Sequence, residues 1–301
     1  MQNALPSGDI GLAIQGGGAH GAFAWGVLDQ LLEDGLVPRR LCGVSSGALC
    51  AVAVTQGLVR GGPPGAREAL RQLWERVAPA GPPRWLTGWD PSFGLAWRGL
   101  ETAARLFGPA QMNPMGHNPL RSIVEDMLDR SALRAPEAPQ LTISATDVET
   151  GRPVLFDNQT IGVEALLASA CLPFVFPTVE IDGRAYWDGG YSGNPPLFPL
   201  LRPDPPAALV LIRVQPRQRP GVPRDIPEIF NRLNEITFQS TLEAELATLP
   251  PDLRLLTYAE DDTLARLPIA SKLTAEPELV RRLFAAGRAS ARRGPIEETT
   301  R

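Results

Sequence analysis

Residues 41–47 read Leu41-Cys42-Gly43-Val44-Ser45-Ser46-Gly47, and the apolar character continues to Val59. A short apolar run, a G-x-S-x-G turn and a second apolar run predict a strand, a sharp bend at Ser45 and a helix starting at Ser46. Gly43 and Gly47 flank the bend because a side chain at either would crowd it. The Ser45 hydroxyl then stands at a helix N-terminus, where unpaired amides favour developing negative charge. Residues 41–59 are about long enough to span a membrane. They carry Ser45, Ser46, Thr55 and Gln56, however, with glycines at 43, 47 and 57, so a buried core helix is the expectation.

Upstream, the apolar run Ile10–Ile14 ends in Gly16, Gly17 and Gly18. From Ala19 to Leu32 the residues Phe23, Val27, Leu28 and Leu31 recur at helical spacing, and Gly35 suits the C-terminal cap. The unit is therefore strand, glycine loop, helix. Downstream, 141–145, 153–156, 209–214 and 253–258 read as further strands, and 231–249 and 278–289 as helices. Asp182-Gly183 lies between two short β-like runs in 179–187, the pattern of a tight hairpin whose second strand delivers Asp188 into a loop. Strands alternating with helices predict an α/β three-layer sandwich with a mostly parallel central sheet flanked by helices. A single domain is expected over 8–290. Trp85, Trp89, Phe93, Trp97 and Phe107 suggest a cap or lid insertion at about 74–118, and 291–301 reads as a mobile polar tail.

The chain has 301 residues, 44% hydrophobic and 21% charged, as in ordinary globular proteins. A net charge of -4 supplies no positive field for a phosphate backbone, so nucleic acid is not an expected partner. Cys42, Cys50 and Cys171 are an odd number in apolar surroundings and read as buried thiols. Residues 1–9 carry neither a basic nor an apolar leader region, which leaves a cytoplasmic location as the expectation. Lys272 is the only lysine among 29 basic residues, which reads as a composition bias.

A nucleophilic serine needs a base. The two histidines, His20 and His117, both precede Asp188, and residues 189–301 contain none, so the order serine, acid, histidine of the α/β-hydrolases is absent. That leaves a carboxylate acting directly on Ser45. Asp188-Gly189-Gly190 is the candidate, because its glycines permit close backbone approach, and Asp147 is the rival. Gly16-Gly17-Gly18-Ala19-His20-Gly21 offers consecutive amides for an oxyanion. It also fits the dinucleotide pattern G-x-G-x-x-G, which calls for an acidic residue at the end of the next strand. Here that strand runs into Ser45 instead.

The glycine loop, G-x-S-x-G and Asp-Gly-Gly, in this order and spacing, resemble the patatin-like phospholipases. Two more matches are Ala168-Ser169-Ala170-Cys171-Leu172-Pro173 with its continuation to Pro177, and Asn194-Pro195-Pro196. The resemblance covers about 11–199. It implies that Ser45 is the nucleophile, Asp188 the general base, and the amides of Gly16, Gly17, Gly18 and Ala19 the oxyanion hole. His20 stands where many members carry Arg or Lys and is expected to shape the loop. The implied activity is hydrolysis of a lipid carboxylic ester through an acyl-enzyme. Its substrate would be a lipid or ester, with transient peripheral contact at the inner membrane face. No metal or cofactor is expected, and the helix at 231–249 could serve a homodimer. An acyltransferase using the same dyad and a catalytically silent lipid-binding module are the alternatives.

Overall fold

The computed structural model describes residues 8–80, 109–113, 115–267, 270–273 and 275–298. Among them lie nine strands: β1 (Ile10–Ile14), β2 (Arg40–Gly43), β3 (Gln140–Asp147), β4 (Pro153–Asp157), β5 (Val179–Ile181), β6 (Arg184–Asp188), β7 (Ala208–Ile212), β8 (Arg254–Tyr258) and β9 (Ile296–Glu298). The longer helices are α1 (Gly21–Glu33), α2 (Ser46–Ala80), α3 (Leu120–Met127), α4 (Val163–Ser169), α5 (Ile226–Leu246) and α6 (Pro277–Arg293).

One sheet runs β5-β6-β3-β2-β1-β7-β8-β9, with β4 also paired to β3. The five strands from β3 to β8 along this order are mutually parallel. The β3–β4, β3–β6, β5–β6 and β8–β9 pairs are antiparallel. Every residue of β1 and β7 is buried, as expected of parallel strands covered on both faces. Alternate residues divide between the two cores. Leu12, Ile14, Val210 and Ile212 pack with α1, α2 and α6, while Ala13, Leu209 and Leu211 pack with Leu242 and Leu246 of α5. This is the expected three-layer sandwich.

Three boundaries differ from the sequence reading. The helix after Ser45 continues to Ala80, bending at Gly61 and Gly62 before Pro63-Pro64. Trp74 therefore belongs to α2, where it is buried and its ring lies 6.3 Å from that of Trp25. The aromatic residues proposed for a lid, at 85, 89, 93, 97 and 107, lie outside the described residues. At the other end, Arg292 and Arg293 finish α6, and Ile296–Glu298 pair with β8. Over 291–298 the chain is thus part of the fold rather than a free tail. The apolar stretch 41–59 is β2, the bend and the start of α2. No helix among the described residues is long and apolar enough to cross a membrane.

Periodicity gave no hint of how closely α1 and α6 cross. A Cβ on Gly26 would strike the Phe284 carbonyl, and one on Gly287 the Phe23 carbonyl, with Val27 N at 2.8 Å. Helix axes this near require both glycines. Gly287→Ala should cost about 1–3 kcal/mol through backbone overpacking, read as a lower Tm by circular dichroism. Gly61→Ala, where nothing lies within 4 Å of the added carbon, is the control.

Candidate active site

β2 ends at Gly43, and Ser45 takes φ 54°, the left-handed region that a residue with a side chain rarely occupies. Several contacts hold the bend. The Ser45 amide donates to Ser169 Oγ at 3.0 Å, and the Gly47 and Ala48 amides donate to the carbonyls of Val44 and Ser45 at 2.8 and 2.9 Å. A Cβ on Gly47 would fall on the Ile14 carbonyl and 2.7 Å from that of Gln15. The first turn of α2 is thus pressed against the end of β1, and only glycine fits between them. Ser169, from the block 168–177, is the residue that pins the elbow from outside.

Asp188 closes β6, and its amide donates to the Cys171 carbonyl at 2.8 Å. The carboxyl is fully buried. Its Oδ1 accepts from the Gly190 amide at 2.8 Å, and Oδ2 has no hydrogen-bond partner. Burial raises its pKa to about 7, against the lowering influence of the Gly190 amide and the neighbouring Ser45 hydroxyl. A carboxyl poised near neutrality, with one free oxygen beside a strained serine, has the form of a general base.

The other acidic candidate is placed differently. Asp147 Oδ1 accepts from the amide and hydroxyl of Thr150, both at 2.8 Å, and Oδ2 pairs with Arg184 at 2.7 Å. Its pKa is lowered, chiefly by Thr150. It caps its own turn and has no oxygen to spare.

The glycine loop lies against the elbow: a Cβ on Gly16 would sit 2.7 Å from Ser45 Cβ. The four amides expected to act together do not. That of Gly16 donates to Asn194 Oδ1 at 2.7 Å, while Asn194 Nδ2 donates back to the Gly16 carbonyl at 3.1 Å. That of Gly17 donates to Ser46 Oγ at 3.2 Å. Among the described residues the amides of Gly18 and Ala19 donate no hydrogen bond. Gly16 is therefore corrected from oxyanion donor to anchor point, because its N–H is already used. Asn194→Ala should release the loop and lower kcat by about 10–100-fold, the scale of small misplacements, with ester-hydrolysis kinetics as the check.

His20 is fully buried in the turn Gly18–His20, with Nε2 2.7 Å from Ser271 Oγ. Burial, then the charges of Lys272 and Arg219, lower its pKa to about 3, so the ring is neutral. It supports the loop, and Nδ1 lacks a partner. His117 is exposed in a turn closed by Asn113. The cysteines are buried and free, and burial pushes the thiols of Cys50 and Cys171 up to about 12.

Sequence reasoning missed the backing of this site by residues beyond 201. Phe238 of α5 seats its ring where a side chain on Gly190 would be, and Asn234 Nδ2 donates to the Tyr191 hydroxyl at 3.2 Å. The short helix Ala270–Leu273 sets the Lys272 carbonyl against Gly18, whose φ is +57°. An isolated lysine in an arginine-rich chain is the only signal of this backing that the sequence carries.

Comparison with known proteins finds the same fold. A human GIVD cytosolic phospholipase A2, solved with methyl γ-linolenyl fluorophosphonate, superposes over 95% of this chain with a TM-score of 0.50 and 13% identity. VipD from Legionella pneumophila matches over 94% of the chain with a TM-score of 0.43 and 13% identity. This chain spans 57% of the former and 68% of the latter. In sequence, triacylglycerol lipase ptl3 of Schizosaccharomyces pombe is 48% identical over 52 residues, which are 17% of this chain and about a tenth (11%) of that protein. The family model described as patatin-like phospholipase matches residues 12–201, from β1 through the elbow and Asp188 to the segment after Asn194. The chain belongs to the patatin-like phospholipase family.

Proposed function

We propose that this protein hydrolyses carboxylic esters of lipids with a Ser45–Asp188 dyad. The observation that carries the reading is the strained Ser45 beside a fully buried Asp188 whose Oδ2 has no hydrogen-bond partner. Asp188 takes the Ser45 proton as the hydroxyl oxygen attacks the ester carbonyl. The tetrahedral oxyanion is held by the amides of Gly18 and Ala19, with Gly17 joining them if it exchanges its bond to Ser46 for the oxyanion. Collapse expels the alcohol, which leaves with the proton from Asp188, and gives an acyl-Ser45 ester. Water, deprotonated by Asp188, then releases the fatty acid and restores the hydroxyl. Family membership and the lipase relative support a lipid as the acyl donor. Contact with a membrane would be peripheral.

The test is covalent. A fluorophosphonate probe should label the wild-type protein at Ser45, located by peptide mass spectrometry. A panel of phospholipids, lysophospholipids, monoacylglycerols and soluble esters should show turnover of at least one lipid class. Labelling confined to another residue would end the proposal.

A further inference from the structure

The two halves of the site come from distant segments. The glycine loop follows β1 and the base loop follows β6, and each is backed by an element beyond residue 201. On α5, Phe238 and Asn234 hold Gly190 and Tyr191. Glu235, next to Asn234, points elsewhere. It is fully buried, and its Oε1 lies 3.3 Å from Lys272 Nζ, the lysine whose carbonyl rests on Gly18. Arg219 holds the same carboxylate through two bonds of 2.7 and 3.0 Å, and Arg232 approaches at 3.5 Å. Ser271, the next residue back, meets His20.

We propose that Glu235 and Lys272 are positioning residues for the acyl transfer, an ion pair that locks the glycine loop to the base loop through α5. The proposal rests on the Ser45–Asp188 reading. Two physical arguments carry it. Buried ion pairs contribute little net stability, because desolvation offsets their attraction. A single lysine kept under the oxyanion loop is therefore better explained by geometry than by stability. Moreover, among the described residues three basic side chains, Arg219, Arg232 and Lys272, gather on the one carboxylate of Glu235, beside a neutral His20 and behind the amides proposed to face a developing negative charge. Lys272 thus contributes both the seat of Gly18 and part of the field there.

The experiment uses the full chain with a soluble short-chain p-nitrophenyl ester, and active sites are counted by fluorophosphonate labelling. Lys272→Met leaves Glu235 paired with Arg219 and is the deciding variant. Glu235→Gln, Lys272→Arg and the double variant Glu235→Gln/Lys272→Met complete the set. Each neutral variant should lose about 10–100-fold in kcat per labelled site with KM changed by less than about threefold. Lys272→Arg should recover most of the loss, and the double variant should be no worse than the poorer single one. A lowered Tm with kcat per labelled site unchanged would overturn the positioning role, as would Lys272→Arg performing no better than Lys272→Met. If the wild type is not labelled at Ser45, the dyad reading fails first, and this proposal falls with it.

Discussion

Ser45→Ala should lower turnover of any ester substrate by on the order of 10⁵-fold or more, the scale seen when a serine nucleophile is removed. The effect should fall on kcat, because no acyl-enzyme can form, while substrate affinity changes little. Fluorophosphonate labelling should disappear altogether. Stability should change little in this variant. Ser45 occupies the left-handed region at φ 54°, and the strain belongs to the backbone, so alanine keeps the cost and removes only the hydroxyl. A Ser45→Gly variant would relax it, gaining on the order of 1 kcal/mol, and would be equally inactive. Equilibrium unfolding of the three proteins separates strain from chemistry.

Asp188→Asn is the second large effect, and pH makes it diagnostic. Asparagine preserves the shape but cannot accept the Ser45 proton, so kcat should drop on the order of 10⁴-fold, the upper range for a general base. In the wild type, burial raises the carboxyl from 3.8 to about 7. With Asp188 as the proposed base the ionised form is the active one, so kcat/KM should fall about tenfold per unit as pH drops below 7. Stability has the opposite sign. A folded-state pKa above the unfolded value means the native state binds the proton more tightly. The contribution is then fully present below about pH 4 and is lost as pH rises through 7. That gap of about three units corresponds to about 4 kcal/mol. Asp188→Asn should therefore be more stable than wild type at pH 8 by a few kcal/mol, with the difference vanishing near pH 4. Urea unfolding at the two pH values measures it. An unchanged difference would mean that Asp188 ionises without cost and is no tuned base.

The same residue explains why much of the site was legible in the sequence. Local chemistry dictates local form: glycines at 43 and 47 allow the bend at Ser45, and Asp182-Gly183 turns the hairpin that delivers Asp188. The absence of a late histidine then removed the usual partner. Buried strands were equally plain, because β1 and β7 are continuous apolar runs with no polar face to show water.

Choices among like residues were not legible. Asp147 and Asp188 both end strands of one sheet, and sequence could not say that Thr150 and Arg184 occupy one while the other keeps an oxygen free. Nor could it say that the Gly16 amide is spent on Asn194, 178 residues away. The sequence by itself determined the strand-turn-helix units, the layer architecture and the sharp bend at Ser45, because these follow from periodicity and the conformational freedom of glycine within a few residues. Only the tertiary structure showed which of Asp147 and Asp188 keeps an unpartnered oxygen, which amides of the glycine loop are spent, the crossing of α1 on α6 and the place of Lys272. Hydrogen-bond satisfaction, desolvation and packing are properties of groups brought together from distant parts of the chain, and no local pattern encodes them.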